Sequence, residues 1–497
     1  MSDNVLKVEG VAKAFGGVQA LKGVSLEIEK GEIHCLAGEN GCGKSTLIKV
    51  ISGVHEPDAG TIEIEGRRFA RLAPMQAIAL GVQVIYQDFS VFPNLSVMEN
   101  LALNMEVMDH RVFMNYRRAK AIAAHAVSQI GFDVDLDERV ETLAVADRQL
   151  IAICRALLQN SKLIIMDEPT AALTKREVKA LFGVIKDLQS RGISILFVSH
   201  KLDEVFEISE RFTILRGGEN VASGSTRELD RRAFALYMTG REFADASYRP
   251  AAAPGPPVLS VRNLTRRGAY TNISFDLAPG EILGITGLLG SGRTELVETI
   301  FGVVQPDSGS IEIGGKPARL RSVRAAIRAG VGYVPSDRLT EGLFLPQTIE
   351  RNLVVAVLER LSGWLGVLRR QAVVETTERW IADLSIATKD PSLPVRTLSG
   401  GNQQKVVLAR WLANDLKVLI LNGPTMGVDI GSKYDIHALI RGLAEHGLAV
   451  VIVSDDLPEV LACASRIVVM QNGAFVQELD PASTTETKLG ELSTGVA

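Results

Sequence analysis

Apolar positions in this chain fall in short continuous blocks. Val418, Leu419, Ile420 and Leu421 form one such block, and Gly423-Pro424-Thr425 breaks it. The same pattern recurs in "LIIMDEP" (163–169), in Ile33–Ala37, in Ile193–Val198 and in Leu448–Val453. Each block is short, rich in β-branched residues and bounded by turn residues, as expected of a strand buried on both faces. Helical stretches lie between the blocks, at 175–191 and 431–446, and a shorter one opens at Ser45–Ile51. Buried strands alternating with helices predict an α/β fold of parallel strands covered by helices.

The blocks occur twice. "GEIHCLAGENGCGKSTLIKVISGVHEPDAGTIEIEG" (31–66) matches "GEILGITGLLGSGRTELVETIFGVVQPDSGSIEIGG" (280–315) without a gap. "KLIIMDEPTAALT" (162–174) matches "KVLILNGPTMGVD" (417–429), and "ILFVSHKLDEV" (195–205) matches "VVIVSDDLPEV" (450–460). So long a period means two whole domains rather than a solenoid. Between them, "RPAAAPGPP" (249–257) is too proline-rich for a helix interior or a central strand and reads as a semi-rigid linker. The expected division is a first domain over 1–243, a linker over 244–257 and a second domain over 258–497.

Composition narrows the class. A chain of 497 residues with a net charge of −4 has no basic field for nucleic acid. Cys35, Cys42, Cys154 and Cys463 are scattered, which argues against a zinc site or a disulfide framework and fits a reducing compartment. Residues 1–10 are mixed polar and apolar and are not expected to act as a secretory leader. No apolar run approaches the ~18 residues of a membrane span, so any role in a membrane is expected to come through a partner.

Candidate chemistry begins at "GENGCGKS" (38–45), which fits G-x-x-x-x-G-K-[ST] and lies between an apolar strand and a helix, as a P-loop requires. Gly38, Glu39, Asn40, Gly41, Cys42, Gly43 and Thr46 would wrap main-chain N–H groups round phosphates, at a helix N-terminus that adds partial positive charge. Lys44 would reach the β- and γ-phosphates and Ser45 would hold Mg²⁺. Further along, Asp167 ends an apolar strand and is a second candidate for Mg²⁺, while Glu168 can orient and deprotonate an attacking water. Cys42 is either a small filler within the loop or a thiol whose alkylation blocks ATP binding.

With these residues in place, the chain resembles the ATP-binding cassette family over nearly its whole length. "LSGGNQQKVVLAR" (398–410) is similar to the family's signature motif, which is far more specific than a P-loop. "VIYQD" (84–88) is similar to its Q-loop, "FVSHKL" (197–202) to its switch-histidine loop, and Phe15 in "AFGGVQAL" to its adenine-stacking aromatic. The resemblance implies two tandem P-loop nucleotide-binding domains, each with a mainly parallel core sheet, an antiparallel β part and a helical subdomain. It implies ATP and Mg²⁺ as ligands, Gln87 as both a catalytic and a metal-side residue, and His200 as a switch beside Glu168. Judged singly, Gln87, His200 and Phe15 read as ordinary structural residues; their order along the chain carries the resemblance.

The two copies differ in complementary ways. In the second, Lys44 becomes Arg293, Ser45 becomes Thr294, Gln87 becomes Ser336, Asp167 becomes Asn422, Glu168 becomes Gly423 and His200 becomes Asp455. Phe15 falls near Gly268. Gly287, Gly290, Gly292, Arg293 and Thr294 still offer a phosphate cradle, so nucleotide binding without useful turnover is expected there. The second copy's signature is intact at Ser399, Gly400 and Gly401, whereas the first reads "LAVADRQLIAICRAL" (143–157), with Ala144 in place of the serine. The family pairs cassettes head to tail, each P-loop facing the other's signature. Under that geometry the first P-loop meets an intact signature and the second meets a lost one.

Two fused cassettes with "LSGGNQQK" and "GRTEL" resemble the ATPase subunits of bacterial sugar importers of the ribose, galactose and xylose type. That resemblance implies membrane-spanning permease subunits, expected as a homodimer, a periplasmic solute-binding protein, and a peripheral place on the cytoplasmic face of the inner membrane. Phe89, Val91, Phe92 and Leu95 in the first copy, and Leu343 and Phe344 in the second, are candidates to receive the permease or are ordinary core. The alternatives are a twin-cassette ATPase acting on ribosomes and a non-hydrolytic regulatory module. The short Pro/Ala-rich linker and the complete Glu168 set weigh against them.

Overall fold

The computed structural model describes residues 4–86, 91–108, 115–170, 173–242, 248–249, 255–363 and 365–494. The chain divides into two compact units, Met1–Phe243 and Ala244–Ala497. Tyr248, just before the proline-rich stretch, is buried in the core of the second unit and donates its hydroxyl to the Gly280 carbonyl at 2.9 Å.

Each unit carries a six-stranded sheet with the same strand order. In the first unit it runs Val82–Ile85, Leu163–Asp167, Ser194–Ser199, Ile33–Gly38, Arg211–Arg216, Glu219–Ser225. All neighbours are parallel except the last pair. The second unit repeats this as Val331–Val334, Val418–Asn422, Ala449–Val453, Ile282–Thr286, Arg466–Gln471, Ala474–Leu479. A separate four-stranded antiparallel sheet accompanies each, built on Asn4–Phe15 and Leu259–Arg266.

The continuous apolar strands have a packing cause. Leu163 and Ile165 face one core with the P-loop helix, whereas Ile164 and Met166 face another with Phe182 and Ile185. Neither face of the strand meets water, so neither tolerates a polar residue. A third cluster joins the helices Val97–Met108, Tyr116–Gln129 and Val145–Leu157 into the helical part of the first unit. The helices Ile349–Val354, Arg370–Asp383 and Gly400–Leu412 hold the corresponding places in the second.

Element ends differ from the sequence expectation by one residue, for local reasons. The P-loop helix is Lys44–Ile51, because Gly43 (φ +110°) takes the left-handed N-cap and Lys44 is already helical. Helices Lys175–Ser190 and Ile430–Glu445 start after Thr174 and Asp429, whose side chains accept from the N–H of Glu177 and Ser432. Both helices end in Schellman closures. Gly192 N–H donates to Gln189 and Ile193 N–H to Leu188, while Gly447 donates to Ala444 and Leu448 to Leu443. Ile193 and Leu448 are therefore spent on helix ends, and the strands begin at Ser194 and Ala449.

Candidate functional site

The site of the first unit lies at the carboxyl ends of the parallel strands, where ligands of open α/β sheets gather. Strand Ile33–Gly38 runs into the P-loop, which Gly43 lets pass close to the main chain. A Cβ at Gly43 would stand 2.6 Å from the Ala20 carbonyl oxygen, so no larger residue fits. Lys44 is buried, and its ammonium donates to the carbonyls of Gly38 (2.6 Å) and Glu39 (3.0 Å) at the base of the loop. Ser45 is exposed at the helix start. The Cys42 side chain turns under the loop toward Gly38, is buried, and has its thiol pushed up by that burial. It is a filler there and a poor target for alkylation.

Strand Leu163–Asp167 delivers the two acids. Asp167 is the last strand residue, and burial followed by the charge of Glu168 raises its carboxyl, against Lys44 and Lys49. Asp167 and Ser45 each offer an oxygen donor of the hard kind that Mg²⁺ takes. Glu168 has a left-handed backbone (φ +48°), and its N–H bonds the Val198 carbonyl at 3.1 Å. Its Oε1 lies 3.1 Å from His200 Nδ1. Burial pushes the Glu168 carboxyl up, but the His200 hydrogen bond and charge, with Lys44 and Lys201, hold it below the usual carboxylate range.

A buried clamp that the sequence reading missed fixes both acid and histidine loops. Glu204 accepts from Thr170 Oγ1 (2.5 Å) and Ser199 Oγ (2.6 Å) and pairs with Lys201 at 2.9 Å. Thr170 follows Glu168 and Ser199 precedes His200, so one carboxylate ties the two loops. The second unit keeps half of it: Glu459 accepts from Thr425 Oγ1 at 2.6 Å, but its other neighbour is His437 Nε2 at 3.4 Å, on helix Ile430–Glu445, while Ser454 Oγ accepts from the Asp456 N–H. The equal spacing of Glu204 and Glu459 in the repeat was its only sequence trace.

The chemistry of the second unit is altered within the same frame. Arg293 is buried and donates to the Gly287 carbonyl at 2.6 Å, in the place Lys44 takes under its own loop. Burial lowers its guanidinium pKa, and Asp455 opposes this, so the His200 replacement sits as a counter-charge to the Lys44 replacement. Asn422 is buried and donates to the Tyr333 hydroxyl at 3.3 Å. Tyr333 stacks on Phe301, which meets Trp411 edge-on. Burial drives the Tyr333 phenol up to about 12, so it stays protonated beside Asn422.

The platform for a base differs between the units. Phe15 is exposed, edge-on to His55 at 5.1 Å, with Lys13 Nζ 5.5 Å from its ring. Ala14 N–H donates to Asp58, and Arg267 N–H donates to Asp307 in the same way. Ala20 and Ala269 both face the P-loop glycine. Between these fixed points lie Phe15–Gln19 in the first unit and Gly268 alone in the second. A shortened hairpin, rather than one substitution, removes the aromatic.

The signature segments both open helices. Ser399 precedes Gly400–Leu412, is exposed, and does not cap its own helix; its hydroxyl accepts from Asn402 Nδ2 at 2.9 Å. The first amides of that helix are thus left for an anion. Gly401 is fixed by packing as well, since a Cβ there would run into Ser432 Oγ, itself bonded to Asp429 at 2.9 Å. In the first unit Ala144 precedes Val145–Leu157 and brings no hydroxyl. Gln87 and Phe89 lie outside the described residues. Of the groove candidates, Phe92 and Phe344 are exposed and Leu343 is buried, while Val91 packs against the core.

Two P-loops on two cassette-like sheets, one with a carboxylate and histidine poised at its strand ends, define a nucleotide-binding ATPase. The chain belongs to the ABC transporter family, whose model matches residues 21–171 and again 270–426. It is 40% identical over 492 residues to a ribose import ATP-binding protein RbsA of Bacillus licheniformis, covering 99% of each chain. It is 42% identical over 492 residues to RbsA 3 of Rubrobacter xylanophilus, again covering 99% of each. With RbsA 2 of Streptomyces avermitilis it shares 40% over 493 residues, covering 99% of this chain and 97% of that one. No helix among the described residues is long and apolar enough to cross a membrane.

Proposed function

We propose that the chain is the ATP-hydrolysing subunit of an importer for ribose or a related sugar. It hydrolyses at one complete composite site, formed by Lys44, Ser45, Asp167, Glu168 and His200 with Ser399 and Gly401. The observation that carries this reading is the complementary loss. The unit that keeps Glu168 and His200 has Ala144 before its signature helix, and the unit that keeps Ser399 has Asn422, Gly423 and Asp455. Unselected decay would scatter such changes over both sites. The ribose-import names of its relatives support the solute class. Nothing in them supports a ribosome-directed role.

In this reading Glu168 accepts a proton from the attacking water, the water oxygen bonds to the γ-phosphorus, and the bond to the β-phosphate oxygen breaks, giving ADP and phosphate. Lys44 and the amides of the P-loop and signature helices hold the phosphate charge. His200 orients Glu168 and keeps it ionised. Ser45, Asp167 and Gln87 would hold Mg²⁺, which when bound neutralises charge on the β- and γ-phosphates. Phe15 stacks on adenine. Membrane-spanning permease subunits, as a homodimer, receive the exposed Phe92 and Phe344 regions on the cytoplasmic side of the inner membrane, and a periplasmic binding protein delivers the sugar.

The test is ATP-dependent accumulation of labelled ribose in liposomes holding the chain with its permease and binding protein. Accumulation abolished by Glu168→Gln is expected. ATP turnover with no accumulation of ribose, galactose or xylose would overturn the transport reading.

A further inference from the structure

The segment after Ser336 holds a single π-turn, Arg338–Gly342, in which Gly342 N–H reaches back to the Asp337 carbonyl at 3.1 Å. Such turns are rare and cluster at functional sites. Asp337 caps it, accepting from the N–H of Leu339 (2.9 Å) and Thr340 (3.1 Å). The first residue of the turn, Arg338, uses its guanidinium in three directions. Nε donates to Gln403 Oε1 at 3.2 Å, Nη1 to the Met426 carbonyl at 2.7 Å, and Nη2 to the Gly427 carbonyl at 2.8 Å. Gln403 belongs to the signature helix Gly400–Leu412, and Met426 and Gly427 to the loop between strand Val418–Asn422 and Asp429.

The guanidinium also lies against the signature itself. A Cβ at Gly400 would stand 2.8 Å from Nη2, so this glycine makes room for Arg338. The far end of the turn is tied to the same helix. Arg410 Nη1 donates to the Gly342 carbonyl at 2.5 Å, and its Nε and Nη2 hold the Asn352 carbonyl and side chain at 2.8 and 2.9 Å. The turn, the signature helix and the loop before Asp429 are therefore one hydrogen-bonded body.

None of these contacts serves chemistry in the second unit, whose own acids are gone. We propose that Arg338 is a positioning residue for hydrolysis at the other unit's P-loop: it holds the Ser399–Gly401 amides and the Met426–Asp429 loop in register with each other. This rests on the reading that Ser399 and Gly401 complete the Lys44–Glu168 site. Planarity matters, because a fork can bridge two carbonyls and a side chain at fixed angles and a lysine ammonium cannot.

The experiment measures ATPase kcat and KM in the full-length chain assembled with its permease, for Arg338→Gln, Arg338→Lys and, as control, Ser399→Arg. Affinity of the first P-loop for a fluorescent ATP analogue is read in parallel. Arg338→Gln is expected to lower kcat about tenfold or more, since small misplacements of catalytic groups are expensive. KM and analogue affinity should stay within about twofold, and Arg338→Lys should rescue only partly. A merely structural role would instead lower the fraction of analogue-binding protein while leaving kcat per bound site unchanged. Should Arg338→Gln not fold, Gln403→Leu removes one of the three contacts and must lower kcat in the same direction. Unchanged kcat in Arg338→Gln, or in Gln403→Leu, alongside a dead Ser399→Arg overturns the role of Arg338 alone. An active Ser399→Arg overturns the shared site and this inference with it.

Discussion

Glu168 and Gly423 occupy the same backbone turn in the two units. Each follows the last residue of a parallel strand, each is left-handed (φ +48° and +62°), and each donates its N–H to the next strand, at Val198 (3.1 Å) and Val453 (2.7 Å). A residue with a Cβ is strained there by about 1–2 kcal/mol. Glycine is what the turn asks for, and glutamate is held against that preference for its carboxylate. Gly423→Ala meets no clash, the nearest atoms being Met426 Cβ and Sδ at 3.7 Å. It should nevertheless destabilise the second unit by about 1 kcal/mol through φ alone. A urea midpoint shift at constant m-value measures this, and an unshifted midpoint refutes it.

Glu168→Gln keeps the shape of the turn and removes the base. ATP turnover by the assembled transporter should fall roughly 10²–10⁴-fold, while binding of an ATP analogue to the first P-loop persists. Turnover near the native rate would mean that the proton goes elsewhere. The reciprocal change, Gly423→Glu, should restore nothing, because Asn422 and Asp455 flank it.

The Glu168 carboxyl is held low mainly by His200, against the upward push of burial. A depressed acid favours its ionised form in the folded state. Its contribution to stability is present above the unfolded pKa and lost as pH falls through the folded one. The base is thus ionised throughout the neutral range, and the acid limb of kcat lies below the ordinary glutamate pKa. His200→Ala removes the hydrogen bond and the charge and leaves burial in command, so the acid limb should move toward neutral pH. A pH–rate profile at saturating ATP reads this directly. An unmoved limb would show that the Lys44 and Lys201 charges suffice.

The tandem cassettes were legible because both copies keep the same strand blocks and loop glycines, and the sheet forces those blocks to be apolar on both faces. The P-loop, Asp167, Glu168 and His200 were legible because each follows such a block. Other parts depend on partners distant in sequence and leave no periodic trace. Arg338 meets Gln403, Met426 and Gly427 only after folding. Glu204 looked like any helical acid until Thr170 and Ser199 converged on it. Gly268 marked a missing aromatic, but the shortened hairpin behind it needed Asp58 and Asp307 as fixed points. The loop motif left Cys42 open between a small filler and a reactive thiol, and its burial and inward turn toward Gly38 favour the filler.

The two signature positions provide the sharpest contrast. Ser399 and Ala144 both precede an α-helix of the helical part, both have extended backbones, and neither caps its helix. An arginine is thus tolerated by the fold equally at either position. If the intact signature serves the Glu168 site, Ser399→Arg places a long cation where the γ-phosphate must meet the helix amides, and hydrolysis should fall by about two orders of magnitude. By the same reading Ala144→Arg alters only a site whose acids are already Asn422 and Gly423, so it should change turnover less than about threefold. Both variants should melt within a few degrees of the native chain. Equal losses of ATPase activity in the two variants would mean that both composite sites turn over, and a greater loss in Ala144→Arg would reverse the assignment.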